Sequence, residues 1–154
     1  MSQIVLNKRV SVLMSFLLVI LTSCTSIKLI SDYDEVTDRK IVTLQEKVTG
    51  FVVKIRDEIG TDQAKYVNYK SFYQDVKVDL ETLKIRTNAI DNNKIVQDQV
   101  SELSNYIDNL EKVHKLGFTH VSEIDLINSQ CNTIFTSLTK LQLALKRGEK
   151  NAKN

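Results

Sequence analysis

Proline is absent from this chain of 154 residues, and glycine, histidine and cysteine are scarce, at four, two and two. Proline would kink or end a helix, so nothing of that kind interrupts the chain. No segment alternates apolar and polar residues as a half-buried strand does. There is no Ser/His/Asp arrangement, no glycine-rich phosphate loop and no Cys/His metal spacing, which speaks against an enzyme and against a cofactor. Charge of one sign is also missing. The 21 basic and 19 acidic residues become 19 against 19 once Lys8 and Arg9 are set aside, which excludes the long-range basic field of a nucleic-acid binder. Nor is there an apolar run of the ~20 residues that a membrane-spanning helix takes.

What the chain does have begins at its N-terminus. Met1 to Arg9 is short and basic, and Val10 to Leu21 is apolar apart from Ser11 and Ser15. Leu21-Thr22-Ser23-Cys24 follows, with small residues ahead of the cysteine. A basic head, a short apolar stretch and a small-residue processing site read as a cleaved export signal. Leu21 to Cys24 resembles the lipobox of bacterial lipoproteins at all four positions. That resemblance implies cleavage between Ser23 and Cys24, a diacylglyceryl group on the Cys24 sulfur and a third acyl chain on the freed amine. A single acyl chain binds a bilayer only marginally, whereas several hold it durably. Thr25 stands where, by resemblance to enterobacterial lipoproteins, an aspartate would retain the protein in the inner membrane. The periplasmic face of the outer membrane is therefore the expected location.

The rest of the chain carries helical periodicity in four segments. The first is expected from about Asp34 to Ile59, with Asp32-x-x-Glu35 as a capping box. Its stripe is Ile41, Leu44, Val48, Phe51, Ile55 and Ile59. Gly60 ends it, while Gly50 either costs the helix ~1 kcal/mol or marks a close helix approach. A second helix opens at Thr61 or Asp62 and runs to about Ala89, with Tyr69, Phe72, Tyr73, Val76, Leu80, Leu83 and Ile90 in register. After the break at Asp91-Asn92-Asn93, a third runs to Leu116 with Val96, Val100, Leu103, Ile107, Leu110 and Val113 inward. Leu116-Gly117-Phe118 reads as a helix cap. Ser122-x-x-Asp125 opens the fourth, striped by Ile124, Ile127, Cys131, Ile134, Leu138, Leu141 and Leu145.

The expected fold is all-α, an antiparallel up-down four-helix bundle behind an N-terminal lipoprotein signal peptide. The expected divisions are 1–23 for the signal, 24–31 for the lipidated tether, 32–148 for the helical bundle and 149–154 for a basic tail. A coiled-coil dimer of long helices is the alternative. The tether from Cys24 to Ser31 spans at most about 25–30 Å, so the bundle must sit against its membrane. In the up-down order the turns at Gly60 and Gly117 are distal, and the Asp91–Asn93 turn and C-terminus are proximal.

Several side chains are candidates for function. Tyr66, Tyr69, Phe72 and Tyr73 gather at the start of the second helix, either as a distal recognition patch or as a wide end layer of the core. The core reading is favoured, with Tyr66 off the stripe and exposed. Glu111-x-x-His114 is half of the ligand pattern of a di-iron bundle, and His120 has Gly117 rather than an acid three residues earlier, so no metal is expected and Glu111 belongs to the wet face. Cys131 lies on the inward stripe and reads as core filler, with an intermolecular disulfide as the alternative. Lys140, Lys146, Arg147, Lys150 and Lys153 suit a helix C-terminus through its dipole and also suit an anionic membrane surface.

Tyr33-Asp34-Glu35-Val36-Thr37-Asp38, the run Phe72 to Leu80 and the run Leu143 to Glu149 resemble a family of small bacterial lipoproteins to which no activity is assigned. The resemblance implies a lipoprotein with a helical domain and supplies no functional residues. The leading expectation is a non-catalytic structural or protein-interaction module whose partner is another envelope protein. The alternatives are a carrier of a small apolar ligand or lipid in the bundle core, and an inhibitor or immunity-type protein.

Overall fold

In a computed structural model, residues 30–152 are described. The lipobox, Cys24 and residues 24–29 of the tether therefore lie outside the described residues, as does Lys153. Four α-helices follow one another: α1 (Glu35–Glu58), α2 (Lys70–Asn88), α3 (Lys94–Leu116) and α4 (Val121–Ala152), with two short 3-10 turns, Asp62–Ala64 and Tyr66–Tyr69, between α1 and α2. Among the described residues there is no strand. α1 packs on α2 and α4, and α3 packs on the same two, so the helices close a four-membered ring around one core.

Local chemistry sets the ends. Asp34, not Asp32, caps α1: its extended backbone (φ −118°, ψ 106°) leaves the helix, and its carboxylate accepts from the Thr37 N–H at 2.9 Å and the Thr37 hydroxyl at 2.6 Å. Glu35 falls in the first turn, where an acid favours the helix dipole. The same Asp34 carboxylate takes both Nε and Nη2 of Arg86 at 2.6 Å, tying the start of α1 to the end of α2. Gly60 (φ 81°) and Gly117 (φ 92°) turn the chain out of α1 and α3 through left-handed backbone that side chains resist. At α4 the expected Ser122–Asp125 pair is replaced by Glu123, whose carboxylate accepts from the N–H groups of Thr119 (2.8 Å) and His120 (3.3 Å). Asp125 instead meets Arg56 of α1 at 2.9 Å.

The stripes close on one another much as the spacing predicts. Ile41, Leu44, Val48, Phe51 and Ile55 of α1 are buried, and so are Val76, Leu80 and Leu83 of α2. Two registers differ from expectation. In α3 the buried positions Val96, Val100, Leu103, Ile107, Leu110 and His114 step by four and three without a break, so the polar His114 is inward and Val113 is 45% exposed. In α4 Phe135 and Gln142 take the inward places, while their neighbours Ile134 and Leu141 are half-buried. A 3.6-residue turn drifts against a repeat of 3.5, and over a helix this long the core line moves across by one residue.

The second helix also starts later than its sequence suggests. Residues 62–69 form the two 3-10 turns, and α2 begins at Lys70. At the other end Ser31 donates its N–H to Asn92 O (3.0 Å) and its hydroxyl to Asn93 Oδ1 (2.8 Å), while Asn93 Nδ2 donates to Thr87 O (2.9 Å). The incoming chain is thus fastened to the α2–α3 turn, where Asn92 adopts φ 55°.

Gly50 is exposed and has nothing within 4 Å of the Cβ position, so it marks no close helix approach. Only its backbone freedom remains as a cost. Gly50→Ala is expected to raise stability by about 1 kcal/mol, read as a melting temperature about 3–6 °C higher by circular dichroism.

Candidate functional site

The chemistry-bearing side chains gather at the Gly60 and Gly117 end. Phe51 of α1 stacks on Phe72 of α2 (4.4 Å between centroids, 8° between planes) and meets Tyr69 edge-on at 5.2 Å. His114 of α3 stands among these rings, stacked on Phe118 at 4.8 Å and within 6 Å of Phe51, Tyr66, Tyr69 and Tyr73. It is 1% exposed. The carbonyl of Ala64 can only accept, so His114 Nε2 carries the proton it donates there at 2.8 Å. Nδ1 then accepts from the Tyr73 hydroxyl at 3.0 Å. Burial lowers the His114 pKa, against a smaller opposing pull from the Ala64 carbonyl, and so favours this neutral tautomer.

That bond explains why residues 62–69 are not α-helical. An α-helix through this segment would aim the Ala64 carbonyl along the axis at the Asn68 N–H; here it faces the imidazole, and the Asn68 N–H bonds Lys65 O instead. Tyr69 donates to Glu58 of α1, which fixes the second 3-10 turn from the other side. The segment is clamped between α1 and α3 by hydrogen bonds that no local rule encodes.

Beside it, Glu111 is buried rather than on the wet face. Its carboxylate accepts from Lys77 (2.5 Å), Tyr66 (2.6 Å) and Lys115 (2.9 Å), and Lys77 also meets Asp108 at 2.9 Å. Burial pushes the Glu111 pKa up, but the three donors outweigh it and hold the group down at about 2. Tyr66, expected to be exposed, is half-buried, spends its hydroxyl on Glu111 and lies under the Lys115 ammonium, 5.0 Å from the ring centre. Tyr69 and Tyr73 are buried in the core. The tyrosines thus form the end layer of the core, not a presented surface.

Glu111 and His114 do share one inward face, as Glu-x-x-His spacing requires, yet both imidazole nitrogens and the carboxylate are engaged by protein groups. Among the described residues no three His, Cys, Asp or Glu side chains gather to hold a metal ion. Cys131 is 2% exposed, and burial raises its pKa to about 11, so it stays a protonated, poorly nucleophilic core residue. The basic candidates are dispersed along the last turns of α4: Lys140, Lys146, Arg147 and Lys150 are exposed, with the Lys146 ammonium 5.1 Å over the Tyr33 ring. Two features escaped the sequence reading. One is the exposed apolar group at this end, with Leu116 88% and Val67 68% exposed. The other is the outer face of α4 from Asn128 to Ser137, whose exposed side chains are amides and hydroxyls without a charge.

Two outcomes follow for this end. Glu111→Ala leaves Lys77 and Lys115 without their shared acceptor and is expected to destabilise the fold by about 2–4 kcal/mol in denaturant titration. His114 packs against Tyr73 of α2 and Tyr66 and Tyr69 of the 3-10 turn, with Glu111 and Lys115 beyond the Tyr66 ring and Glu58 of α1 beyond Tyr69. Its pKa is lowered in the folded state, so its contribution is complete above the ordinary histidine value of about 6.5 and is lost as pH falls through the folded value. Wild type is therefore expected to lose melting temperature between neutral and mildly acidic pH, and His114→Gln to lose much less over the same interval. In comparisons with known proteins, no family model, curated protein or solved structure matches the chain.

Proposed function

We propose that this chain is a bacterial envelope lipoprotein, acylated on Cys24 and acting without catalysis as a structural or protein-interaction module. One observation carries the reading: Leu21-Thr22-Ser23-Cys24 closes a short apolar stretch that follows Lys8 and Arg9. Among the described residues no helix is long and apolar enough to cross a membrane, so a lipid would be the attachment this region itself does not offer. Thr25, rather than an aspartate, favours the periplasmic face of the outer membrane.

The finer arrangement belongs to the same proposal. The helices run up, down, up, down as an antiparallel bundle. Supporting this, Asp34 at the start of α1 pairs with Arg86 at the end of α2, and Arg56 near the end of α1 pairs with Asp125 near the start of α4. Lys77 of α2 reaches Glu111 of α3, and Tyr106 of α3 donates to Ile127 O of α4. In that order Ser31 and the α2–α3 turn sit beside the lipid, while Leu116 and Val67 point away from it. A partner protein would meet that outer end, where large apolar side chains stand in water next to a rigid aromatic layer. The interior from Ile41 to Leu138 is filled by its own Leu, Ile, Val and Phe side chains, which weighs against carriage of an apolar ligand.

Labelled palmitate fed to expressing bacteria is expected to mark the wild-type chain and not Cys24→Ala. A photo-crosslinking residue at Leu116 is expected to capture one envelope protein, and the yield to fall at least about tenfold in Val67→Glu, as truncation of an interface centre does. An unlabelled wild type with an uncut N-terminus would overturn the lipoprotein reading. Capture no better than at the α4 position Gln130 would overturn the interaction reading.

A further inference from the structure

The end of the molecule opposite the aromatic layer has its own unexplained surface. Ile30, Ile85 and Ile95 are 47%, 71% and 49% exposed, and Ile90 is half-buried. They surround the α2–α3 turn: Ile90 precedes it, Ile95 follows it, and Ile30 adjoins Ser31, which is hydrogen-bonded to Asn92 and Asn93. Ile85 and Ile90 also wall a shallow groove with Val36 and Ala89, edged by Lys40, Thr82 and Arg86. Ile30, Ile85 and Ile95 are the exposed isoleucines among the described residues, and they share this end.

We propose that this end docks into the interface of a lipid bilayer, with Ile30, Ile85, Ile90 and Ile95 entering the acyl boundary. The inference rests on the anchoring proposed above and deepens it. Chain length argues for the occupant, because a lipid on Cys24 keeps Ser31 within about 25–30 Å of the bilayer, and the isoleucines are grouped around the place where Ser31 is fastened. Isolated apolar residues on a surface need no explanation, but three exposed isoleucines grouped around the fastening point of the tether do. Three of the basic residues at this end are paired, Arg86 with Asp34, Lys94 with Asp98 and Lys84 with Glu81, while Lys40 lines the groove itself. Entry of the isoleucines into the acyl boundary is apolar and needs neither low salt nor anionic lipid. Attachment through the basic last turns of α4 would require both low salt and anionic lipid.

The chain contains no tryptophan, so single reporters can be placed without background. The chain from Cys24 onward, which retains every described residue, is prepared as Cys131→Ala and coupled through Cys24 to maleimide-bearing lipid in vesicles of neutral phosphatidylcholine. The coupling supplies the anchor chemically, so failure of docking is distinguished from failure of acylation in the cell. Ile85→Trp and Ile95→Trp are expected to shift to the blue and to lose at least about half their emission to lipids brominated near the headgroup, the depth at which interfacial side chains lie. Leu116→Trp should emit as it does in water. Adding Ile90→Asp should relieve the quenching at position 85 while circular dichroism shows the fold retained. Reporters at 85 and 95 that behave like the one at 116 would overturn the proposal. So would quenching that appears only with anionic lipid and vanishes in high salt.

Discussion

Each helix carries one narrow apolar stripe, and only the stripes of its neighbours are available to cover it. That mutual burial is what the rest of the structure depends on. Val48, Ile55, Val76, Leu83, Val100, Leu103, Ile124 and Leu138 are all fully enclosed, and each is flanked along its helix by residues in water. At about 25 cal/mol for each Å² of apolar surface removed from water, such a core holds only while all four elements stay in register. The polar contacts select the register; they do not supply the main driving force. Arg86 on Asp34 and Arg56 on Asp125 each satisfy one alignment, and a shift of one helical turn would leave those charges without partners.

The two ends of the core are built differently. One is closed by rings, with a neutral imidazole set among Phe51, Tyr69, Tyr73 and Phe118. The other is closed by small polar groups, with Ser31, Thr87 and Asn93 buried and hydrogen-bonded to one another. The aromatic end is a stiff plug made from non-local contacts. The polar end fastens the incoming chain to a turn. This asymmetry gives a short helical domain two distinct ends along its axis, in keeping with the proposed placement between an anchor and a partner.

Much of the fold was legible because it is periodic. The stripe of α1, that of α2 from Tyr73 to Leu83, the stop at Gly60, the break at residues 91–93 and the cap at Gly117 all follow from spacing and turn chemistry. The misreadings have physical causes. Val113 was preferred to His114 because it is apolar, although the unbroken steps of four and three in α3 lead to position 114. The 3-10 segment was read as helix because the imidazole that takes the Ala64 carbonyl lies 50 residues away in sequence. Glu111 looked solvated because its donors, Lys77 and Tyr66, come from α2 and the turn before it. Phe135 and Gln142 were hidden by drift along a 32-residue helix. Ile30, Ile85 and Ile95 gave no signal, since outward positions are recognised only once the inward ones are known, whereas Ile90, in register on the second stripe, is half-buried at the turn.

Asp34 holds two duties with one carboxylate, as the cap of α1 and as the counter-ion of Arg86 near the end of α2. Arg86 holds its pKa well below the usual carboxylate range, against the cost of burial, so the group stays ionised in ordinary buffers. Because the two duties share the same atoms, the first turn of α1 and the last turn of α2 cannot fray one at a time. Opening either turn breaks a contact the other shares, so amide protons in the two turns should show similar protection against exchange. A terminus that would otherwise be the loosest part of a helical domain is thereby joined to its interior.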